Sequence, residues 1–487
     1  MAHIDWTLND NSLLTDAHTL VVIARKADLT DGWLFATLPE AIRQTAVRLA
    51  ADLKPGPGVA GTTLLPESAG VKTLVVIPLY DKVSRHLSDT RAYEIYQALR
   101  NVARPEGGKV AILAGLSDAK QALGVNLGIA RCYPIYSRKS GNKHGQGSLK
   151  IELRTKKGPV PLELTWALGV AAVRNAARLV DMPTQELDTA VFEAEARHAV
   201  EGVAHVTVSS IVGDDLLKVG LRGLHAVGRT AMVAPRVVIL EYNPPGVTDA
   251  PVALIGKGLV YDTGGLSLKI VGDRMLTMKC DMGGAAAVLG AFTLLAKSGV
   301  HKRVVAALAM AENAIGPDSY RPDDIIEMHS GKTMEVNNTD AEGRIALADA
   351  ASYVARKFNP KFLIDAATLT GAQLIATGKW HAAIVSNDGE LEGKVIAAGL
   401  DSGDHCMPIL FSPELHTGEY KSNVADMRNS VADRANASSS ASGLWIWMHI
   451  DDLDIKWAHI DLAGPAFLDN RGSGYGVGLI YSLVRSL

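Results

Sequence analysis

Four acidic side chains and three lysines stand in three short stretches of this 487-residue sequence, each of which also contains glycine. The stretches are 256–269, 278–287 and 337–344. Carboxylates that converge in a partly dry pocket repel one another unless they are protonated or neutralised. Two divalent cations, about 3.5–4 Å apart in such sites, would neutralise them and lower the pKa of a water molecule that they share. The residue types therefore predict a two-metal centre, and its candidate acidic residues are Asp262, Asp281, Asp340 and Glu342.

A simpler interpretation of each acidic residue is a helix cap, because side-chain oxygens and the helix dipole favour carboxylates at helix starts. For any one carboxylate alone, capping is the better hypothesis. Asp340 and Glu342, followed at once by Gly343 and Arg344, are harder to explain as caps alone. Lys257 and Lys269 could be surface charges, yet Lys257 follows an apolar run and stands between two glycines. Caps and surface charges are therefore the alternatives to a metal centre.

Buried strands followed by helices would position these stretches. After about residue 185, apolar runs predict strands at 237–242, 252–255, 304–309 and 362–365, and helical patterns predict helices at 283–297 and 342–357. The strands are apolar at successive positions, as strands buried on both faces should be. Since α/β proteins bind ligands at the carboxyl ends of their strands, the charged stretches stand where a site is expected.

The first ~150 residues alternate strands and helices as well, with strands predicted at 20–24, 73–78 and 109–113 and helices at 41–53 and 88–102. Glycine and charge at 137–158 indicate the end of a domain, and an alanine-rich helix follows at about 163–180. We predict an α/β protein of two domains. These are a smaller N-terminal α/β (macro-like) domain at 1–158, a linker helix within 159–184, and a larger C-terminal catalytic α/β domain at 185–487 with a mixed central sheet.

Composition and missing motifs exclude several other classes. A net charge of −3 argues against a dedicated nucleic-acid binder. The cysteines at 132, 280 and 406 lack CxxC spacing, so neither a disulfide framework nor a cysteine zinc site fits. HExxH, GxSxG and GxxxxGK[ST] are absent from the sequence. The N-terminus shows no secretory signal and the apolar runs are strand-sized, which predicts a cytoplasmic protein without a membrane partner.

The charged stretches resemble the signatures of the leucyl aminopeptidase (cytosol aminopeptidase) family of dinuclear metallo-aminopeptidases. The matching runs are NTDAEGR at 338–344, GKG at 256–258 with DTGG at 262–265 and a lysine at 269, and DMGGAA at 281–286. TLTGA at 368–372, VADM at 424–427 and HIDLA at 459–463 are also similar to that family. The resemblance covers about residues 165–487, and the first domain is similar only in size and strand–helix pattern.

This resemblance implies a role for each metal ligand. Asp262 and Glu342 are expected between the two metals. Lys257 and Asp281 would complete the shell of one metal, and Asp340 that of the other. Lys257 could ligate only as a neutral amine, a form that a nearby dication favours.

The resemblance also implies catalytic and substrate-binding residues. Lys269 would polarise the scissile carbonyl and stabilise the oxyanion. Arg344, with the backbone N–H of Gly343 at a helix start, is expected to hold a bicarbonate ion that serves as general base. The residues that match the pocket for the first side chain are Met278, Thr368 and Gly371.

The implied activity is the release of N-terminal amino acids, preferably apolar ones such as leucine or methionine, through attack by a hydroxide that bridges the metals. Mn, Zn, Co and Mg all suit the ligands. The family implies peptide substrates and a homohexamer. One departure is that residues 269 and 281 are twelve positions apart, one more than expected for the family, and the extra residue falls within 270–277, beside the predicted pocket.

Two other hypotheses remain. The basic segment 138–157 could contact nucleic acid, since some bacterial relatives also act as DNA-binding regulators, but such charge runs are usually solvated loops and aromatic residues are not interleaved with it. A structural oligomer without catalysis is the other alternative. It predicts the loss of metal ligands, and the sequence retains all of them.

Overall fold

The computed structural model describes residues 4–8, 13–102, 108–140, 147–270 and 275–487. It consists of two compact units. One comprises Met1–Arg174 with Leu400–Gly403, and the other comprises Asn175–Gly399 with Asp404–Leu487. Each unit is built on its own sheet, and the larger C-terminal sheet is mixed, so the expected α/β class is confirmed. The boundaries that we predict for the domains and their linker remain predictions.

Within the described residues, the first unit contains a seven-stranded sheet. Its strands are β1 (Ile4–Leu8), β2 (Thr19–Arg25), β3 (Gly61–Leu64), β4 (Thr73–Leu79), β5 (Lys109–Gly115), β6 (Gly147–Thr155) and β7 (Gly158–Pro159). They follow the order β1-β6-β5-β2-β4-β3, with β7 paired to β6. The neighbours from β1 to β4 in this order are parallel, and β3 and β7 are antiparallel to their partners.

Strand β6 lies in the charged stretch that we predicted to end the first domain. Leu149, Ile151 and Leu153 are buried and alternate with half-buried polar residues. This period of two is the pattern of a strand with one buried face, and the lysines and glycines around it hide the pattern in the sequence. Residues 141–146 lie outside the described residues.

The second unit carries the remaining strands, which are β8 (Val206–Val212), β9 (Arg236–Tyr242), β10 (Val252–Asp262), β11 (Val304–Asn313), β12 (Ile325–Glu327), β13 (Thr333–Glu335), β14 (Phe362–Ala367), β15 (Ala382–Ser386), β16 (Cys406–Pro408), β17 (Met427–Arg428), β18 (Lys456–Asp461), β19 (Phe467–Leu468) and β20 (Arg471–Gly472). Its main sheet has the order β16-β15-β18-β14-β10-β11-β9-β8 in the described part of the chain. The four central strands, β18, β14, β10 and β11, are parallel, so their carboxyl ends meet at one edge of the sheet.

The helices are α1 (Lys26–Asp31), α2 (Glu40–Asp52), α3 (Ala92–Leu99), α4 (Ala122–Arg131), α5 (Leu164–Asp181), α6 (Thr189–Ala199), α7 (Asp215–Lys218), α8 (Arg222–Gly228), α9 (Gly283–Lys297), α10 (Glu342–Phe358), α11 (Gly371–Ala376), α12 (Gly389–Ser402), α13 (Pro413–His416), α14 (Ser438–Trp447) and α15 (Val477–Ser486). A 3-10 turn, Met278–Met282, leads directly into α9. Helices α9 and α10 both pack on β10. They are the two helices that we predicted to follow charged stretches.

Strand β10 continues past the apolar residues with which it begins. We predicted its end at residue 255, but it pairs in parallel with β11 as far as Asp262. Gly256 permits this, because a Cβ there would come within 2.5 Å of the Ala285 backbone in α9. At Gly258 a Cβ would lie 2.8 Å from the Met310 side chain. Glycine usually weakens a strand, but here it allows a close approach of two elements.

The segment Met278–Lys297 is long and apolar enough to cross a membrane, contrary to our expectation that the apolar runs are only strand-sized. However, 83 % of its most apolar window is buried inside the protein. Since α9 packs on the central strands β10, β11 and β14, we interpret this segment as a core helix.

Candidate metal centre

Three carboxylates converge at the carboxyl edge of the main sheet. Oxygens of Asp262, Asp340 and Glu342 lie within 4.8 Å of one another. Asp262 ends β10 and Glu342 begins α10, and both are buried. Ala341 occupies the cap position of α10, and no side chain in the described part of the chain caps this helix start. The convergence is what a metal centre requires, and capping does not explain it.

Lys257 and Asp281 adjoin this cluster. Lys257 is 2 % exposed, so it is not a surface charge. Its Nζ lies 2.7 Å from Asp281 Oδ1 and 3.2 Å from Glu342 Oε1, and it donates to the Thr368 carbonyl at 3.0 Å. Asp281 is carried by the 3-10 turn before α9. All five expected ligands are therefore in one place.

Lys269 reaches the other side of the cluster. Its Nζ is 2.7 Å from Asp262 Oδ2 and also pairs with Asp340. The chain turns back after β10 through Gly264 and Gly265, which have positive φ angles of 86° and 63°. At Gly264 a Cβ would come within 2.6 Å of the Ser267 carbonyl, so only glycine fits this turn.

Burial and mutual repulsion govern the charges of the acidic residues. Burial raises the pKa of Asp262 to about 6 and that of Asp281 to about 8, with Glu342 adding to both shifts. For Glu342 itself, burial disfavours the charged form, but Lys257 and Lys269 outweigh it and lower the pKa. The four carboxylates of the cluster thus outnumber its two lysines, so the lysines alone do not neutralise their negative charge.

Lys257 holds its proton in this environment. Burial alone would lower its pKa, but Asp281, Glu342 and Asp262 outweigh burial and raise the pKa above the ordinary lysine value. For Lys257 to ligate a metal as a neutral amine, the cations must therefore displace its proton.

Two observations test whether divalent cations fit here. Buried Asp281 Oδ2 and Glu342 Oε2 have no hydrogen-bond partner among the described residues, and such oxygens are costly to leave unsatisfied. Gly343 leaves room for the Lys257 amine, since a Cβ at this position would lie 2.6 Å from Lys257 Nζ. Carboxylate oxygens and one amine suit Mn, Zn, Mg and Co without selecting among them. The residues present therefore fit the expected ions.

Arg344 is held firmly in the first turn of α10. Its Nη1 donates to the Asn429 carbonyl at 3.0 Å and to the Tyr420 hydroxyl at 3.3 Å, and its Nη2 donates to Ser442 Oγ at 2.8 Å. The side chain is buried, and its Nε has no partner among the described residues. A buried cation thus stands two residues beyond Glu342.

The residues expected to shape the substrate pocket lie on elements beside the ligands. Thr368 Oγ1 donates to Asp281 Oδ1 at 2.8 Å, which brings it into the cluster. Met278 begins the turn that carries Asp281 and is half-buried, and Gly371 begins α11, where a Cβ would meet no atom of the described residues within 4 Å. Residues 271–274, within which the extra residue can fall, lie outside the described residues.

Two buried asparagines that we did not single out in the sequence support the site. Asn313, at the end of β11, donates from Nδ2 to Asp262 Oδ1 at 2.9 Å. Asn429 accepts from the Asn337 backbone N–H at 2.9 Å and donates to the Asn338 carbonyl at 2.6 Å. A polar residue that ends an apolar strand could have indicated Asn313, whereas no local pattern marks Asn429.

Cys280 stands next to the expected ligand Asp281, but its thiol is not reactive. Burial raises its pKa to about 12, with Asp281 adding to the shift, so the thiol stays protonated. A buried, protonated thiol is typical of a residue that contributes to packing.

Comparison with known proteins shows what the chain is similar to. Residues 174–481 match the model described as the cytosol aminopeptidase family, catalytic domain. Over 447 residues the chain is 40 % identical to the probable aminopeptidase NPEPL1 of Mus musculus. The matched region covers 89 % of this chain and 82 % of that protein. The structure of Caenorhabditis elegans leucine aminopeptidase (LAP1) is similar with a TM-score of 0.90 at 33 % identity, covering 99 % of this chain and 98 % of that one. The bottromycin maturation enzyme BotP, solved in complex with Mn, is similar with a TM-score of 0.77 at 26 % identity, covering 96 % and 99 %.

Proposed function

Since this chain belongs to the cytosol aminopeptidase family, we propose that it is a metal-dependent aminopeptidase that releases N-terminal residues from peptides. The observation that carries this proposal is the convergence of five potential ligands in one buried cluster. They are Lys257, Asp262, Asp281, Asp340 and Glu342.

Two divalent cations would be held by two overlapping groups of ligands. Asp262, Asp340 and Glu342 would hold one of them, and Lys257 and Asp281 would complete the shell of the other. When bound, the two cations would neutralise the carboxylates and lower the pKa of a shared water molecule, which becomes the nucleophile. Mn is the first ion to try because BotP was solved with Mn, and Zn, Mg and Co suit the same donors.

Lys269 would stabilise the negative charge that develops on the substrate carbonyl oxygen. Burial disfavours its ammonium form, but Asp262, Glu342 and Asp340 outweigh burial and raise its pKa, so it keeps its proton. A fixed cation in a water-poor site stabilises an oxyanion more than it would in bulk water. Lys269 is therefore proposed as a catalytic residue.

Arg344 and the backbone N–H of Gly343 would bind bicarbonate at the start of α10. The buried guanidinium and the positive end of the helix both favour an anion there. Bound bicarbonate would act as the general base that takes a proton from the attacking water.

Specificity for a free N-terminus would follow from the same geometry, because a neutral α-amine can bind a cation and an acylated nitrogen cannot. Met278, Thr368 and Gly371 would surround the first side chain. A Cβ at Gly371 would have no described atom within 4 Å, and this space and the thioether of Met278 favour an apolar residue such as leucine or methionine. A homohexamer and a cytoplasmic location are proposed from the family alone.

The segment 138–157 offers little support for nucleic-acid binding. In its described part, Arg154 forms an ion pair with Glu152 at 2.5 Å, and Lys156 pairs with Asp31 at 2.6 Å. Basic side chains that already have acidic partners are weak phosphate ligands. Peptides are therefore the substrates that we propose.

Metal removal tests the proposed function directly. Hydrolysis of leucine p-nitroanilide should disappear after chelation and return with added Mn, whereas the N-acetylated substrate should stay uncleaved throughout. In the Glu342→Ala variant, metal analysis should find fewer than two ions bound per chain. Turnover that persists in the chelated protein would reject the proposal.

A further inference from the structure

The proposed function assigns no role to the buried Asn313. This residue ends β11 and is 0 % exposed. Its Nδ2 donates to two acceptors, Asp262 Oδ1 at 2.9 Å and the Thr339 carbonyl at 3.0 Å. One amide group therefore connects the end of β10 with the segment that leads into α10.

The hydrogen bonds determine which way the amide faces. In the reverse orientation, Asn313 Oδ1 would face a carboxylate oxygen and a carbonyl oxygen, and neither can donate. In the orientation found, both N–H groups are used, while Oδ1 is buried without a partner among the described residues. A buried oxygen without a donor is unfavourable. The two hydrogen bonds donated by Nδ2 therefore compensate for the unpartnered Oδ1.

The first hydrogen bond determines how Asp262 presents its carboxylate. Oδ1 accepts from Asn313 Nδ2 and from the Gly264 backbone N–H at 2.8 Å. Oδ2 is the oxygen that faces the cluster, where it lies 2.7 Å from Lys269 Nζ. Asn313 thus helps to hold one oxygen away from the cluster and the other toward it.

The second hydrogen bond holds the segment that carries Asp340. Thr339 directly precedes Asp340, and its carbonyl accepts from Asn313 and from the buried Tyr320 hydroxyl at 2.6 Å. The main chain of Asn313 contributes as well, because the Asn313 carbonyl accepts two hydrogen bonds from Thr263. The backbone N–H of Thr263 donates at 3.1 Å and the Thr263 hydroxyl donates at 2.7 Å. Asn313 therefore contacts the chain beside two different ligands.

We propose that Asn313 is a positioning residue that sets Asp262 and Asp340 for the cation bound by Asp262, Asp340 and Glu342. Groups that orient metal ligands typically change metal affinity by 10–100-fold when they are removed. Asn313 makes no hydrogen bond to Lys257 or Asp281, so the other cation should depend on it less. The inference deepens the proposed function and rests on the two-metal centre.

The test is calorimetric titration of the metal-stripped full chain with MnCl2, a readout that does not depend on activity. The variants are Asn313→Ala, which removes both donors, and Asn313→Ser, which retains one. Asn387→Ala is the matched control, because Asn387 Nδ2 donates to the Ile455 carbonyl at 2.9 Å and its Oδ1 accepts from the Trp457 N–H at 2.7 Å. These bonds lie where β18 begins, at the opposite edge of the sheet from the cluster.

The inference predicts that Asn313→Ala weakens one Mn site by about 10–100-fold and the other, which shares Asp262 but not Asp340, by less. Asn313→Ser should give an intermediate loss, and it keeps the test decisive if the alanine variant does not fold. Asn387→Ala should bind both ions as the wild type does. Unchanged constants in the Asn313 variants, or an equal loss in Asn387→Ala, would overturn the inference while the proposed function stands. A wild-type chain that binds fewer than two ions would instead overturn the proposed function.

Discussion

The Gly343→Ala variant would fill the space next to the Lys257 amine but keep the backbone N–H that we propose binds bicarbonate. It therefore tests the first feature without changing the second. The added Cβ would lie 2.6 Å from Lys257 Nζ and 3.0 Å from its Cδ, and Cε is closer still. Ordinary contact begins at 3.4 Å, so Nζ must move by about 0.8 Å. That shift would stretch its 2.7 Å contact with Asp281 and its 3.0 Å hydrogen bond to the Thr368 carbonyl.

The expected effect is large on catalysis and small on stability. A misplacement of about 1 Å in a catalytic site can cost roughly 100-fold in rate, so kcat/KM should fall by about that factor. Alanine in a helix is favoured over glycine by up to about 1 kcal/mol, and a weakened hydrogen bond to a charged group costs about 1.5–3 kcal/mol. With the full helix preference of alanine, the free energy of unfolding should therefore fall by about 0.5–2 kcal/mol.

The assay is hydrolysis of leucine p-nitroanilide in excess Mn, together with metal analysis and urea unfolding. Gly393→Ala in α12 is the matched control, because a Cβ there meets nothing within 4 Å. It should keep wild-type kcat/KM. Bicarbonate should activate Gly343→Ala by the same factor as the wild type, since alanine keeps the backbone N–H. A Gly343→Ala enzyme with two bound ions and wild-type kcat/KM would refute the reasoning.

Two further predictions concern Arg344 and a buried histidine. Ser442→Ala removes the 2.8 Å hydrogen bond from Arg344 Nη2, worth about 1.5–3 kcal/mol, and should lower kcat/KM at least about tenfold. Ser486→Ala, which loses only a hydrogen bond within α15, is the control. An unchanged kcat/KM in Ser442→Ala would contradict the prediction. Burial, aided by a nearby lysine, lowers the pKa of His449 to about 3 from 6.5, so the unfolded chain takes up this proton first. As the pH drops below about 6.5, the free energy of unfolding of the metal-stripped protein should therefore decrease. This residue contributes a decrease of about 1.4 kcal/mol for each pH unit. His449→Asn should recover about 2 kcal/mol of the loss between pH 7 and pH 5 in urea titrations, and an identical loss in the variant would disprove this account.

The sequence indicated which residues would converge in the cluster because their types and spacing stand out from the surrounding apolar runs. Helix α9 was predicted with the bounds that it has, and α10 to within one residue. Both helices follow charged stretches and are rich in small residues. What local pattern could not show is that β10 continues through Gly256 and Gly258, because that depends on how closely α9 and β11 approach.

The supporting asparagines were missed for a related reason. Asn313 matters because β11 lies beside β10 in a register that pairs Asn313 with Asp262. Register between strands about fifty residues apart follows from the packed sheet and not from either segment alone. Asn429 similarly acts on the chain at 337–338, some ninety positions earlier. Such long-range partners become visible only in the folded chain.

The proposed metal ligands enter the cluster from positions as distant as Lys257 and Glu342. During synthesis, a growing chain that has emerged only as far as residue 335 contains the residues of β10 and β11, but it lacks Asp340 and Glu342. The proposed hydrolytic activity should therefore arise only after most of the protein has left the ribosome. A peptidase organised in this way would not act on neighbouring nascent chains while it is itself incomplete.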